Sequence, residues 1–409
     1  MANPSPTDIH IVLVCCLIFV CLENMRGNYT ESFRHLRAGS RLLNAQHPST
    51  TTTNTAHSSS SSGRDASRLR TIADMFRCLG QDAGHFVGSN VVSLIDLAFY
   101  TLQDRSIREA AATASISSRH YHSSQVRTQS FPNIANAYDE LKLLDIDQEM
   151  RLLGLQDGPA AISGLGGTDS SAAVSPAPSS DMAFRALQHR YEDWSARFEA
   201  FMADGLRGDH CHRNSSSVEV YPSATAAGVA VKQGSKMTTV EEMRELLIVA
   251  LQGKLWSVIL SSNLLPVEAK LFEDIVERVG LLLQSGALGA TQHQSGRVWR
   301  RPLFAFEGNV IPALVFVCSF CEGVGPRLEA IRLLREMGAR KEGVWDSQQV
   351  ADVFEAGMAA EERGIEGFRP PNGPFLGLVR RLCDIGAPGI SAPIRHIAES
   401  MGGGAPQGP

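Results

Sequence analysis

The sequence predicts an all-α fold: an array of antiparallel helix pairs forming one large domain with disordered insertions. Three observations point there. Apolar residues recur at helical spacing along most of the chain, no convincing alternating strand pattern appears, and long polar tracts interrupt the periodic stretches. Of the 409 residues, 43% are hydrophobic and 20% charged, enough for a sizeable core once the polar tracts are set aside. The net charge of -5 provides no global attraction to nucleic acid or to an anionic membrane.

The first element is a helical hairpin within residues 1–47. Its arms, 11–26 and 29–46, break at Gly27 and Asn28, and the second arm places Tyr29, Phe33 and Leu36 at helical spacing. The run IVLVCCLIFVCL, 11–22, reads as a buried core helix, since its roughly dozen residues fall short of the ~20 a spanning helix needs. No Lys or Arg precedes it, and no small-residue cleavage site follows before Glu23. No membrane is therefore expected as a partner, and the sequons at Asn28 and Asn214 carry little weight.

A Ser/Thr-rich linker occupies 48–67, a helical segment 68–155, and an Ala/Ser/Gly/Pro linker 156–180. Inside the second linker GLGGTD, from Gly164, has no strand before it and no amphipathic helix after it, so it lacks the context of a phosphate loop. The helix 181–206 carries an aromatic stripe, Leu187, Tyr191, Trp194, Phe198 and Phe201, which is expected to be core. A polar loop follows over 207–236.

The part 237–368 opens on a capping box of Thr239 and Glu242 and runs through Met243, Leu246, Leu247, Ala250 and Leu251 to Ile259. Beyond Pro266 a second apolar run, from Leu271 to Leu283, is expected to fold back on it as an antiparallel partner. The stretch KEGVWDSQQV then sets up another helix start. Asp346 is the N-cap, Gln349 reaches back to complete a capping box, and Trp345 with Val350 forms a hydrophobic staple. Val350, Val353, Phe354, Gly357, Met358 and Ile365 share the packing face, while Glu361, Glu362 and Arg363 read as a solvated face rather than a catalytic pair. Residues 369–409 form a Pro/Gly-rich tail with a short apolar-basic piece around Leu378.

The eight cysteines show no disulfide framework, which fits a reducing compartment. Cys318 and Cys321 form the one C-x-x-C and are expected as buried small hydrophobes on one helical face. Asp209 to His212 places metal-like side chains side by side, but adjacent residues of an extended chain point to alternate sides, and no metal site is assigned. Arg297, Arg300 and Arg301 around Trp299 read as a solvated loop. No catalytic, cofactor-binding or metal-binding residue is assigned; no cofactor, no enzymatic activity and no direct DNA binding are expected.

Two separated blocks carry a resemblance. Phe19, Glu23, Gly27, Asn28, Tyr29, His35, Leu36 and Gly39 in the first, and Ile311, Pro312, Phe316, Arg327, Ala330, Ile331, Leu333, Leu334 and Lys341 to Ser347 in the second, resemble the regulatory region of filamentous-fungal binuclear zinc-cluster transcription factors. The resemblance implies an all-α regulatory domain in the nucleus, with protein partners in the transcription machinery and an effector of unknown kind. That family's N-terminal six-cysteine zinc cluster has no counterpart in the sequence. The resemblance therefore implies either a truncated product or a regulator without its DNA-reading head, and zinc binding and base readout pass to no residue here. The alternative is a non-enzymatic helical scaffold, unrelated to transcription, that assembles partners in the cytoplasm.

Overall fold

The structure, a computed structural model, describes residues 6–45, 62–88, 130–152, 180–208, 240–262, 268–284, 304–305, 310–365 and 374–400. The described residues are helical almost throughout and fall into two compact units, one of residues 1–118 with 257–409 and the other of 119–256. Several expectations lie outside the described residues: GLGGTD, the segment 209–212, the Arg297 to Arg301 cluster, Thr239 of the capping box, and most of both linkers.

In the first unit α1 (Pro6–Arg26) and α2 (Tyr29–Ala45) form the expected hairpin. The break between them is chemical. Gly27 sits at φ +76, a conformation other residues adopt at a cost, and the Asn28 N–H closes the turn on the Glu23 carbonyl. Helix α3 (Ser62–Val87) packs on both arms. Gly39 makes this close approach feasible, because a Cβ there would collide with the ring of the fully buried Phe76.

The expectation that 11–22 is wholly buried is corrected. Only Leu13, Leu17 and Val20 of that run face the core, while Ile11, Ile18 and Phe19 are about half exposed. Of the window Ile9–Arg26 only 22% is buried, and by length and composition alone that window would suffice to cross a membrane. A helix apolar all round can bury one side against two neighbours and leave the other bare.

The second unit is built on α4 (Ile134–Leu152) and α5 (Ser180–Gly208), which run antiparallel: Glu140 binds Arg197 and Asp147 binds Arg190, so numbers rise on one helix as they fall on the other. The aromatic stripe is core, as expected, with Leu187, Trp194 and Phe198 buried. Trp194 donates its indole N–H to the Ala137 carbonyl at 2.8 Å, and the Arg197 guanidinium lies over the Phe131 ring at 4.1 Å.

Helix α6 (Val240–Ser262) begins in this second unit, where Trp256 donates to Asp145 and the Gly253 carbonyl accepts from Tyr191. The turn around Pro266, across which an antiparallel pairing is expected, lies outside the described residues. Helix α7 (Ala269–Gln284) lays its buried face, including Phe272, Ile275 and Val279, on helices α8 (Ile311–Phe320) and α9 (Val324–Glu336) of the first unit. Phe272 meets Phe316 there.

Three two-residue strands, β1 (Phe304–Ala305), β2 (Lys341–Glu342) and β3 (Trp345–Asp346), are the only ones among the described residues. β1 pairs parallel with β2, and β2 antiparallel with β3, around Gly343 and Val344. Helix α10 (Ser347–Glu362) follows and runs antiparallel to α9, with Arg327 opposite Glu361 and Arg335 opposite Asp352. It ends at Gly364, φ +73, where the Ile365 N–H reaches the Ala360 carbonyl and the Gly364 N–H the Glu361 carbonyl, so the periodic face stops short of Ile365.

The expected tail is also corrected. Residues 375–400 contain α11 (Phe375–Asp384) and α12 (Ala392–Ser400), and Leu376, Val379 and Leu382 of α11 are completely buried. Two short amphipathic helices between Gly- and Pro-containing turns are stabilised by packing rather than by length. Helix α11 seats on α3 and α10.

Candidate functional site

The segment Lys341 to Ser347 is a tight β-hairpin in which nearly every side chain has a task. Lys341 points its ammonium at the Asn24 and Met25 carbonyls in the last turn of α1, the first of which also accepts from the Gly27 N–H, and pairs with Asp346 at 3.2 Å. Glu342, fully buried, accepts from the Arg340 guanidinium at 2.8 Å with one oxygen. With the other it accepts the Val310 and Ile311 backbone N–H groups, each at 2.8 Å. This carboxylate therefore caps α8, whose second residue is Pro312, a helix start needing no N–H there.

Gly343 turns the hairpin at φ +54, and its carbonyl accepts from the Asn24 amide at 3.1 Å. Trp345 fills the interior between Phe86 of α3 and Phe375 of α11, edge-on to both at 5.3 and 5.5 Å between ring centres. Asp346 is the N-cap of α10, accepting from the Gln348 and Gln349 N–H groups, and the Ser347 hydroxyl donates to the Gly338 carbonyl. One expectation for this junction changes: Gln349 does not close a capping box but accepts from the Tyr29 hydroxyl, 320 positions away.

The N-terminal block meets this hairpin directly. Phe19 stacks on His35 at 5.1 Å, Glu23 receives the Asn28 side chain at 2.9 Å, and Leu36 is buried. Burial, with the Asp346 charge adding to it, pushes the Tyr29 phenol well above its ordinary range, so it stays a neutral donor.

Glu361 does not lie on a solvated face: it grips the buried Arg327 through two hydrogen bonds, at 2.8 and 3.1 Å. Cys318 and Cys321 are buried, as small hydrophobes would be, but they do not share a helical face. Helix α8 ends at Phe320, and Cys321 caps it in an extended conformation. Burial pushes the Cys318 thiol up to about 12 and raises Cys321 as well, so both are neutral. No group of three or more His, Cys, Asp or Glu side chains suited to a metal ion occurs among the described residues.

Beside the junction, α1 and α3 enclose a groove of about 660 Å³. Helix α1 contributes Val14, Leu17, Ile18, Cys21, Leu22 and Met25 to it, and α3 contributes Ile72 and Met75. The two helices run parallel. Gly39 lies between Cys16 and Phe76, whereas Asn24 binds Gly343, which abuts Asp82 and Leu79, so rising numbers on one helix match rising numbers on the other. His10 and Arg68 consequently share one end of the groove, with Thr71 next to them. Burial pushes the Cys21 thiol up to about 11, in keeping with apolar walls. The sequence gives no sign of this groove, because a run apolar on every side does not reveal which side is left open.

No protein-family model matches the chain, and neither a curated protein nor a solved structure matches it.

Proposed function

We propose that this chain is a non-enzymatic helical regulatory domain of the kind found in fungal binuclear zinc-cluster transcription factors, acting in the nucleus on protein partners of the transcription machinery. What supports the reading is one observation. The two blocks that carry the resemblance lie some three hundred positions apart in sequence and converge on a single junction, through Asn24 to Gly343 and Tyr29 to Gln349, separated by 319 and 320 positions. A chance likeness of two short helical segments gives no reason for their residues to become mutual partners. Zinc binding and base readout are assigned to no residue of this sequence.

The test is a tethering experiment. The full chain is fused to an unrelated DNA-binding domain in a fungal host, and transcription of a reporter under the matching operator is measured. A change in reporter output, lost when Trp345→Ala disrupts the junction, is the expected result. A folded, nuclear fusion that leaves the reporter unmoved would remove the transcriptional reading and favour a scaffold.

A further inference from the structure

We propose that the exposed side of α1 is the interface of an antiparallel two-fold dimer, in which a second copy of this chain lays its own α1 against it with Ile18 at the centre. The row consists of Ile11, Val14, Ile18, Leu22 and Met25, each between 36% and 59% exposed. On the other side of the helix Leu13, Leu17, Val20 and Asn24 are buried against the body of the unit. The helix is held from one side and offers the other.

The spacing of the exposed row argues for what covers it. Steps of three, four, four and three residues are those of helix packed on helix, where apolar side chains recur about every 3.5 positions. The row also reads the same from either end. Laid antiparallel, Ile11 of one copy shares a layer with the partner's Met25, Val14 with the partner's Leu22, and Ile18 with its own counterpart. A closed two-fold interface asks for this self-complementarity. Four of the five side chains also line the groove against α3, which gives the partner's side chains a hollow to enter. The antiparallel sense sets the positive end of each helix beside the negative end of the other.

Charge points the same way. From Ile11 to Leu22 no residue is charged, so the seam lacks the flanking charges that select a different helix or repel an identical one. A membrane fits less well. Crossing it would pull Leu13, Leu17, Val20 and Asn24 out of the core and break the bond from Asn24 to Gly343. Lying on anionic lipid is favoured by several Lys or Arg, whereas α1 has Arg26 alone, paired with Glu23.

The area sets the strength. Half the accessible surface of ~21 Å of helix is about 500 Å² per copy, so two copies bury about 1,000 Å², the lower edge of a specific interface. A dimer of roughly micromolar affinity follows, in which the copies exchange on dilution.

The test is sedimentation equilibrium of the full chain over a concentration series spanning the micromolar range. Wild type should pass from monomer to dimer. Ile18→Glu changes an exposed position, sets two carboxylates face to face, and should weaken the dimer more than about tenfold. Ile18→Lys should do the same, and an equal mixture of the two variants should dimerise again, a rescue that damage to the fold would not give. The double variant Ile11→Cys with Met25→Cys, oxidised by copper phenanthroline, should link position 11 of one copy to position 25 of the other, as read by mass spectrometry.

Wild type that stays monomeric overturns the proposal, as does a dimer indifferent to Ile18→Glu or a charge mixture that fails to associate. Links from position 11 to position 11 overturn the antiparallel arrangement. Flotation of monomeric wild type with phosphatidylserine vesicles, lost in Ile18→Glu, gives the face to a membrane instead. Sedimentation reads the dimer without a reporter, so the transcriptional reading can fail while the dimer stands, and the reverse.

Discussion

The Asn24 side chain donates to the Gly343 carbonyl at 3.1 Å, and Lys341, two residues before that glycine, reaches the carbonyls of Asn24 and Met25. The last turn of the first helix is thereby locked to a hairpin near the other end of the sequence. Asn24 is almost completely buried, so Asn24→Leu would leave the Gly343 carbonyl without its donor. The expected loss is about 1–3 kcal/mol, read as a lower midpoint in urea unfolding of the full chain. Deleting residues 1–46 removes the same contacts together with the α1–α2 core, and its melting temperature should fall further. An unchanged melt would refute the packing of the hairpin described above.

Glu342 and Arg340 are both buried, and the glutamate also caps α8. Glu342→Gln keeps the shape and removes the charge that compensates Arg340. Breaking a buried pair from one side costs about 3–5 kcal/mol. The double variant Glu342→Gln with Arg340→Met should recover part of that loss, and a double-mutant cycle by chemical denaturation measures how much.

Two glycines separate the effect of collision from that of backbone conformation. Gly39 is helical, and a methyl group there would strike Phe76, so Gly39→Ala should destabilise by about 1–3 kcal/mol through overpacking. Gly338 stands at φ +68 with open space around it, and Gly338→Ala should lose only about 1 kcal/mol, the conformational share. Near-equal melting temperatures for the two variants would argue against the close α2–α3 approach.

Cysteine reactivity should follow burial. Among the described cysteines Cys15 is exposed and should alkylate first, whereas Cys318 should resist iodoacetamide at pH 8 until the chain unfolds, as read by mass spectrometry of labelled peptides. The same thiol sets a direction for stability against pH. Unfolded, it ionises near 9.0, and folded near about 12. The folded chain therefore keeps a proton that the unfolded chain releases, and stability falls as pH rises from 9.0 toward 12, with no effect at neutral pH. Cys318→Ala should flatten that alkaline slope.

Among the described residues Trp345 is the largest fully buried side chain, and its indole N–H finds no hydrogen-bond partner there. Trp345→Phe should therefore cost far less than Trp345→Ala, for which about 3–5 kcal/mol is expected from the cavity. Thermal melts of the two variants make the comparison.

Local chemistry was readable from the residues alone. The Gly27 break, the Asp346 cap and the aromatic stripe around Trp194 each depend on neighbours within a few positions, where spacing alone carries the signal. Readings that needed a distant partner went astray. Gln349 turns to Tyr29, and Glu361 to Arg327, because a buried hydroxyl and a buried guanidinium outweigh the local alternatives. Helix α11 was hidden by its short length and flanking prolines; Phe375 shows its worth only beside Trp345 and Phe86. The open side of α1 was hidden for the opposite reason, too much apolar sequence to reveal a direction.

The bond between Asn24 and Gly343 also sets a timetable. A ribosome adding roughly 5–20 residues per second needs on the order of half a minute to supply the 319 positions between them. During that interval the apolar N-terminal helix has emerged while the hairpin that fastens it does not yet exist. Nascent chains of this protein should therefore engage holding chaperones at their first helix, and let go only when the codons for the final third have been read.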